Sequence, residues 1–212
     1  MSSTTAPEAP QHDERREALL AVALEQIRAV GPGASMEQIA VAAGVTKPTL
    51  YRTFGSKNGL YAAVVDHFVA QLQSDIVRRF DAELGVRDVL RAVIEVVLVR
   101  IRANEPVYHF MMRRARMALT TTDDDQPDFL VRLGETATRL IAQRFELSGL
   151  PTRPAPLYGQ AVVGFVSAAA DWWLAHPDVP MSVVVEDLVD LLYVGFQMTD
   201  PEASPPVTRA GA

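Results

Sequence analysis

The stretch Ser35–Leu60, SMEQIAVAAGVTKPTLYRTFGSKNGL, constrains this chain more than any other, because helix starts and stops crowd into it. Ser35 followed three residues later by Gln38 is a capping-box spacing, each side chain able to satisfy the other's backbone N–H. Met36, Ile39, Ala40 and Ala43 recur at helical intervals, and Gly44 stands where a left-handed residue ends a helix. Val45 supplies an apolar plug under the turn. Thr46 can cap a second helix whose first turn holds Pro48, a position where a missing N–H costs little. Leu50 then faces inward, and Lys47, Thr49, Tyr51 and Arg52 are left to face outward. Two short helices about a tight turn make a helix-turn-helix, in which the second helix is the usual reader of a DNA major groove.

Charge points the same way locally and the opposite way globally. The 212-residue chain has a formal net charge of -6, which argues against a protein that coats nucleic acid indiscriminately. Yet no acidic residue lies between Glu37 and Asp66, while Lys47, Arg52 and Lys57 all do. Duplex binding needs such a cationic footprint, since phosphate neutralisation dominates affinity. Lys57 is the most informative of the three. It follows Ser56, an expected N-cap, and so puts a cation at the positive end of a helix dipole, where a carboxylate would be preferred. A phosphate nearby accounts for that choice; a solvated surface lysine is the alternative.

The run GVTKPTLYRTFGSKNGL resembles the N-terminal DNA-binding domain of the tetracycline-repressor (TetR) family of bacterial transcription regulators, over roughly residues 13 to 66. The resemblance implies that Lys47, Pro48, Thr49 and Tyr51 face the groove, and that Tyr51, Thr53 and Lys57 contact the phosphate backbone. Ser35, Thr46 and Arg52 complete the candidate DNA-binding set. Two positions depart from the family pattern. Thr53 stands where histidine is common, and Gly59 where a glutamate often completes a capping box, which predicts a less firmly fixed start for the following helix.

The rest of the chain reads as helix throughout, so the fold class is all-α. A first helix is expected from Asp13, with Leu19, Leu20, Ala23, Leu24, Ile27 and Val30 on one face and Gly31-Pro32-Gly33 ending it. After Lys57 a long helix runs to about Leu84, with Leu60, Val64, Val65, Phe68, Leu72, Ile76 and Phe80 in one stripe; it suits an element bridging two domains. Arg87–Ala103 is apolar nearly all round and is expected to be central. Val107–Leu119 and Phe129–Leu147 follow, separated by a polar loop (Thr120–Pro127) without the spacing of a calcium site. Leu157–Ala175 mixes small residues with Phe165, Trp172 and Trp173, and a last helix spans Ser182 to about Met198. Two such helices from each of two subunits would make a four-helix dimer interface, as the family resemblance also implies. Completing one monomer's core is the alternative.

These elements predict a disordered tail over 1–12, a helix-turn-helix DNA-binding domain over 13–56, a helical effector-binding and dimerisation domain over 57–199, and a second disordered tail over 200–212. Phe68, Phe110, Met111, Arg114, Phe165 and Trp172 are the candidates for contact with a small-molecule effector. Aromatics, adaptable methionines and a cation suit a pocket for a polar or anionic ligand, although the same residues serve equally as core and as snorkelling arginines.

Enzymatic chemistry is not expected. The chain has no cysteine, which excludes disulfides, thiol catalysis and cysteine-ligated zinc. Its four histidines (His12, His67, His109, His176) sit in no metal or nucleophile motif, so neither metal nor cofactor is expected. The N-terminus lacks the pattern of a secretory signal, and the most apolar stretch, Ala161–Ala170, is too short to span a bilayer. A cytoplasmic, membrane-free homodimer is expected. Its function would be that of a ligand-responsive DNA-binding regulator, a repressor that a small molecule releases from a palindromic operator. A helical dimer that binds a small molecule or protein without acting through DNA is the alternative.

Overall fold

The computed structural model describes residues 8–79, 85–118 and 129–197, and the side chains of 13–79, 85–113 and 129–194. All elements among the described residues are α-helices: α1 (Glu8–Val30), α2 (Met36–Ala42), α3 (Lys47–Phe54), α4 (Lys57–Arg79), α5 (Val86–Ala103), α6 (Glu105–Ala118), α7 (Phe129–Leu147), α8 (Ala155–Leu174) and α9 (Met181–Gln197). None is long and apolar enough to cross a membrane. The all-α expectation holds. The tail expected over 1–12 is helical from Glu8 onward, with Pro10 in the first turn, where no intrahelical partner is lost. α4 stops at Arg79, and the expected continuation through 80–84 lies outside the described residues, as do the polar loop over 120–127 and the tail from 200 to 212.

The chain divides into two units. Residues 1–70 and 104–129 form one, and residues 71–103 and 130–212 the other. This division runs through α4 and groups α6 with the helix-turn-helix.

In the first unit α1 packs on α2, α3 and α6. The predicted stripe of α1 is its core face: Leu19, Leu20, Ala23, Leu24 and Ile27 are buried, whereas Val30, the last residue of the helix, is exposed. Ile39, Leu50, Leu60, Val64 and, from α6, Val107, Tyr108 and Met111 are buried in the same unit. Burying side chains of this size contributes about 1.5–3 kcal/mol each. α6 is also tied by polar contacts: the Tyr61 hydroxyl donates to the Met111 carbonyl (3.1 Å), Arg28 to Asn104 Oδ1 (3.2 Å) and Arg113 to the Pro32 carbonyl (3.5 Å).

In the second unit α5 packs against α8 and α9. Ile94, Val96, Leu98 and Ile101 are buried, in line with a central helix, but its ends are charged. Arg87 and Arg91, one turn apart, reach Glu186 and Asp190, one turn apart on α9, and Arg87 also lies 5.7 Å from the centre of the Tyr193 ring. α7 and α8 approach closely at Gly159, where the Thr138 side chain and backbone leave no room for a Cβ. A Cβ on Gly159 would sit 2.6 Å from the Thr138 nitrogen and 2.8 Å from the Gly134 carbonyl oxygen. Trp173 is buried, donates from Nε1 to the Val179 carbonyl (2.9 Å) and so fixes the α8–α9 turn.

Candidate nucleic-acid interface

The helix-turn-helix forms for reasons that can be traced bond by bond. Gln38 N donates to Ser35 Oγ (3.2 Å) and Ser35 N to Gln38 Oε1 (2.9 Å), the reciprocal cap its spacing predicts. α2 ends in a Schellman motif: Val45 N bonds the Ala40 carbonyl (3.0 Å), Gly44 N the Val41 carbonyl (3.1 Å), and Gly44 takes a φ of 63°. Thr46 caps α3 by accepting from Thr49 N (3.4 Å), and Pro48 sits in the first turn. Leu50 and Phe54 are the buried anchors of α3, and Arg16 of α1 lies over the Phe54 ring at 5.5 Å.

What α3 leaves outside is one face. Lys47, Pro48, Tyr51 and Arg52 are all exposed, and their spacing puts them side by side along the helix. Thr46 is exposed at the helix start, and Thr49 is half-buried with its hydroxyl 3.0 Å from that of Thr46. Ser35 is half-buried at the start of α2. Its oxygen accepts the Gln38 N–H, which leaves its proton for an outside acceptor.

Thr53 behaves differently from its neighbours. It is half-buried, and its hydroxyl donates to the Thr49 carbonyl one turn back (3.1 Å). A hydroxyl has one proton and a phosphate oxygen can only accept, so Thr53 holds no donor for a phosphate in this arrangement.

The start of α4 is built around Ser56 and Gly59. Gly59 N donates to Ser56 Oγ (3.0 Å) and Leu60 N to the Ser56 carbonyl (3.1 Å), while Lys57 is exposed in the first turn. A Cβ on Gly59 would overlap the Phe54 carbonyl oxygen and lie 3.0 Å from its carbon. The glycine thus lets the end of α3 press against the start of α4.

The effector candidates are divided between the two units. Phe68 is buried edge-on to Phe129 (5.8 Å), Phe110 is half-buried beside Tyr61 (6.1 Å) and Met111 is 0% exposed, all in the first unit. Arg114 lies on α6, but its side chain is outside the described residues. Phe165 and Trp172 are in the second unit and are 40% and 51% exposed. They share one face of α8 with Leu157, Ala161, Gly164 and Ala168, all exposed. His176 stacks on Trp172 at 4.3 Å. On α9, Val183, Leu191 and Val194 are exposed on a face that also carries Asp187 and Asp190. No group of metal-ligating side chains occurs among the described residues.

Comparison with known proteins covers most of the chain. Residues 19–64 match the family described as bacterial regulatory proteins, tetR family, and residues 75–207 match the tetracyclin repressor-like C-terminal domain. An uncharacterized HTH-type transcriptional regulator of Mycobacterium tuberculosis (strain CDC 1551 / Oshkosh) is 26% identical over 179 residues, 84% of this chain and 75% of the relative. The HTH-type transcriptional activator FasR of Mycolicibacterium smegmatis is 29% identical over 167 residues, 76% and 73% of the two chains. A tetR-family transcriptional regulator from Streptomyces coelicolor shares the fold with a TM-score of 0.65 at 21% identity, covering 89% of this chain and 87% of that one. With the capped, outward cationic α3 and these matches in hand, the chain belongs to the TetR family, and it is a DNA-binding transcription regulator.

Proposed function

We propose that this regulator is a homodimeric repressor that holds a two-fold operator until a small molecule shifts it to a conformation unfit for the two half-sites. The observation that carries the reading is the α3 face, where Lys47, Pro48, Tyr51 and Arg52 are exposed together in a stretch free of acidic side chains. Lys47, Pro48, Thr49 and Tyr51 read the groove in this scheme; Ser35, Thr46, Arg52 and Lys57 hold the backbone. Thr53, with its proton committed to Thr49, acts by holding the helix rather than by touching phosphate.

The exposed apolar stripe of α8, with the exposed Val183, Leu191 and Val194 of α9, supports the dimer. Leu157, Trp172, Leu191 and Val194 are 70%, 51%, 59% and 59% exposed, which a water-facing helix pair does not need and a second copy would cover. Phe165 and Trp172 accordingly serve the subunit contact rather than the effector. Of the effector candidates, Phe110, half-buried on α6, keeps a surface that a ligand can reach; Phe68 and Met111 take part only if the site opens.

The test is fluorescence anisotropy of the purified protein on its own upstream intergenic DNA, across a salt series and against scrambled duplex. Tight, salt-dependent and sequence-selective binding is expected. Equal, weak binding to both duplexes would overturn the reading. Transcription from the bound promoter with and without the protein decides the sign: a rise on removing the protein makes it a repressor, and a fall makes it an activator, as FasR is named.

A further inference from the structure

Two glycines of α8 have opposite surroundings. Gly159 is buried, and α7 leaves no room there for a Cβ. Gly164 is exposed, and a Cβ on it would meet nothing within 4 Å among the described residues. An interior glycine weakens a helix relative to alanine. Packing within the chain gives a reason for Gly159 and none for Gly164, so the reason for Gly164 lies in what approaches α8 from outside.

The face around Gly164 has an order of its own. Leu157, Ala161, Gly164, Phe165, Ala168 and Trp172 run along it, all exposed and none charged. Followed from either end, the sizes come in the same sequence: large, small, then the Gly164–Phe165 pair in the middle. Leu157 and Trp172 each lie about 11 Å along the helix from that midpoint, and Ala161 and Ala168 each about 5 Å. A surface that meets a copy of itself about a two-fold axis has this property, because whatever one residue sets against a second, the second sets against the first. Crossing helices are closest at the crossing point and diverge from it, so small residues suit the middle and large ones the ends. Phe165 is the exception in the middle, and the neighbouring glycine is the gap that a facing ring needs.

Charge selects the direction. Arg153 precedes α8 and Asp178 follows it, and both are exposed. An antiparallel copy sets each Arg153 toward the partner's Asp178, whereas a parallel copy sets like charges together.

We propose that α8 pairs with α8 of a second copy, antiparallel, about a two-fold axis passing between Gly164 and Phe165. Phe165 fills the space left by the partner's Gly164, Ala161 faces the partner's Ala168, and Leu157 covers the partner's Trp172. The proposal rests on the homodimeric reading above and adds to it the helix, direction and register of the contact.

The chain has no cysteine, so disulfide trapping reads the register directly. Full-length Ala161→Cys and Ala168→Cys chains, carrying different tags, are co-expressed, oxidised mildly and separated without reductant, beside each variant alone. Co-expression should give a covalent dimer holding both tags. Each variant alone should stay uncrosslinked, because the two copies of either position lie about 10 Å apart along the helices, beyond the reach of a disulfide. A steric test runs beside it. Gly164→Leu fills space that is open within the protomer, so helicity should be kept while the dimer dissociation constant rises about tenfold or more. Adding Phe165→Ala to the same chain should recover part of that loss. Covalent dimers from each variant alone would mean parallel pairing. That result would overturn the proposal, as would a sedimenting dimer that gives no cross-link or is unmoved by Gly164→Leu, and each leaves the dimeric reading standing. A wild-type chain that sediments as a monomer would overturn both.

Discussion

At the scale of single residues, three side chains carry sharp and opposite expectations. Lys57 is exposed at a helix start where its charge is unfavourable to the helix itself. Replacing it by alanine should weaken binding to every duplex alike and reduce the slope of log affinity against log salt by about one. Lys47→Ala, by contrast, should relax preference at one base position by about 1–3 kcal/mol, measured by competition among point-substituted operators. Thr53→Val removes a hydroxyl whose proton already serves Thr49, so operator affinity should stay within about twofold of wild type, a difference of roughly 0.4 kcal/mol. A tenfold loss would mean that the hydroxyl turns to phosphate on binding. Gly59→Ala forces a methyl group onto the Phe54 carbonyl. Either α3 or α4 must shift, at a cost of about 1–3 kcal/mol read as a lower denaturant midpoint, with weaker operator binding beside it.

At the scale of elements, what was legible in advance depended on how local the signal was. The boundaries of α2 and the start of α3 were readable because Ser35, Gly44, Thr46 and Pro48 each act on neighbours within four residues. The allegiance of α6 was not, because Tyr108 and Met111 are as suited to a C-terminal bundle as to the flank of α1; only the long-range packing distinguishes them. The division of α4 was hidden for a similar reason, since one unbroken stripe from Leu60 to Ile76 serves two different cores. Phe165 and Trp172 show a further limit. An aromatic on a helix face has the same spacing whether it lines a cavity or meets another chain, and here both are exposed on a stripe with Leu157. The role of α9 can be tested on its own: Leu191→Glu places a further charge on the outward face and should yield a monomer by sedimentation, with helicity kept. A dimer that survives both this change and Trp172→Glu would place the subunit contact elsewhere.

At the scale of the whole molecule, an acidic chain with one acid-free cationic face suits selective rather than indiscriminate attachment to DNA. Net charge -6 repels phosphate at long range, so productive approach depends on the α3 face and on salt. In the proposed dimer, two linked heads bind far more tightly than one once their separation matches the site. Leu191→Glu should consequently lose operator affinity by about a hundredfold or more while keeping its affinity for an isolated half-site, checked by anisotropy on both duplexes.

The placement of α6 against α1 bears on how such a protein can be recombined. A chimaera made by joining residues 1–56 or 1–70 to a foreign C-terminal body would leave behind the segment that covers α1 and receives the Tyr61 hydroxyl. The transplanted head would present raw apolar surface wherever Val107, Tyr108 and Met111 had been. The DNA-reading module of this chain is thus discontinuous along the gene, and a graft that changes its operator while keeping it soluble has to carry two separate stretches of sequence.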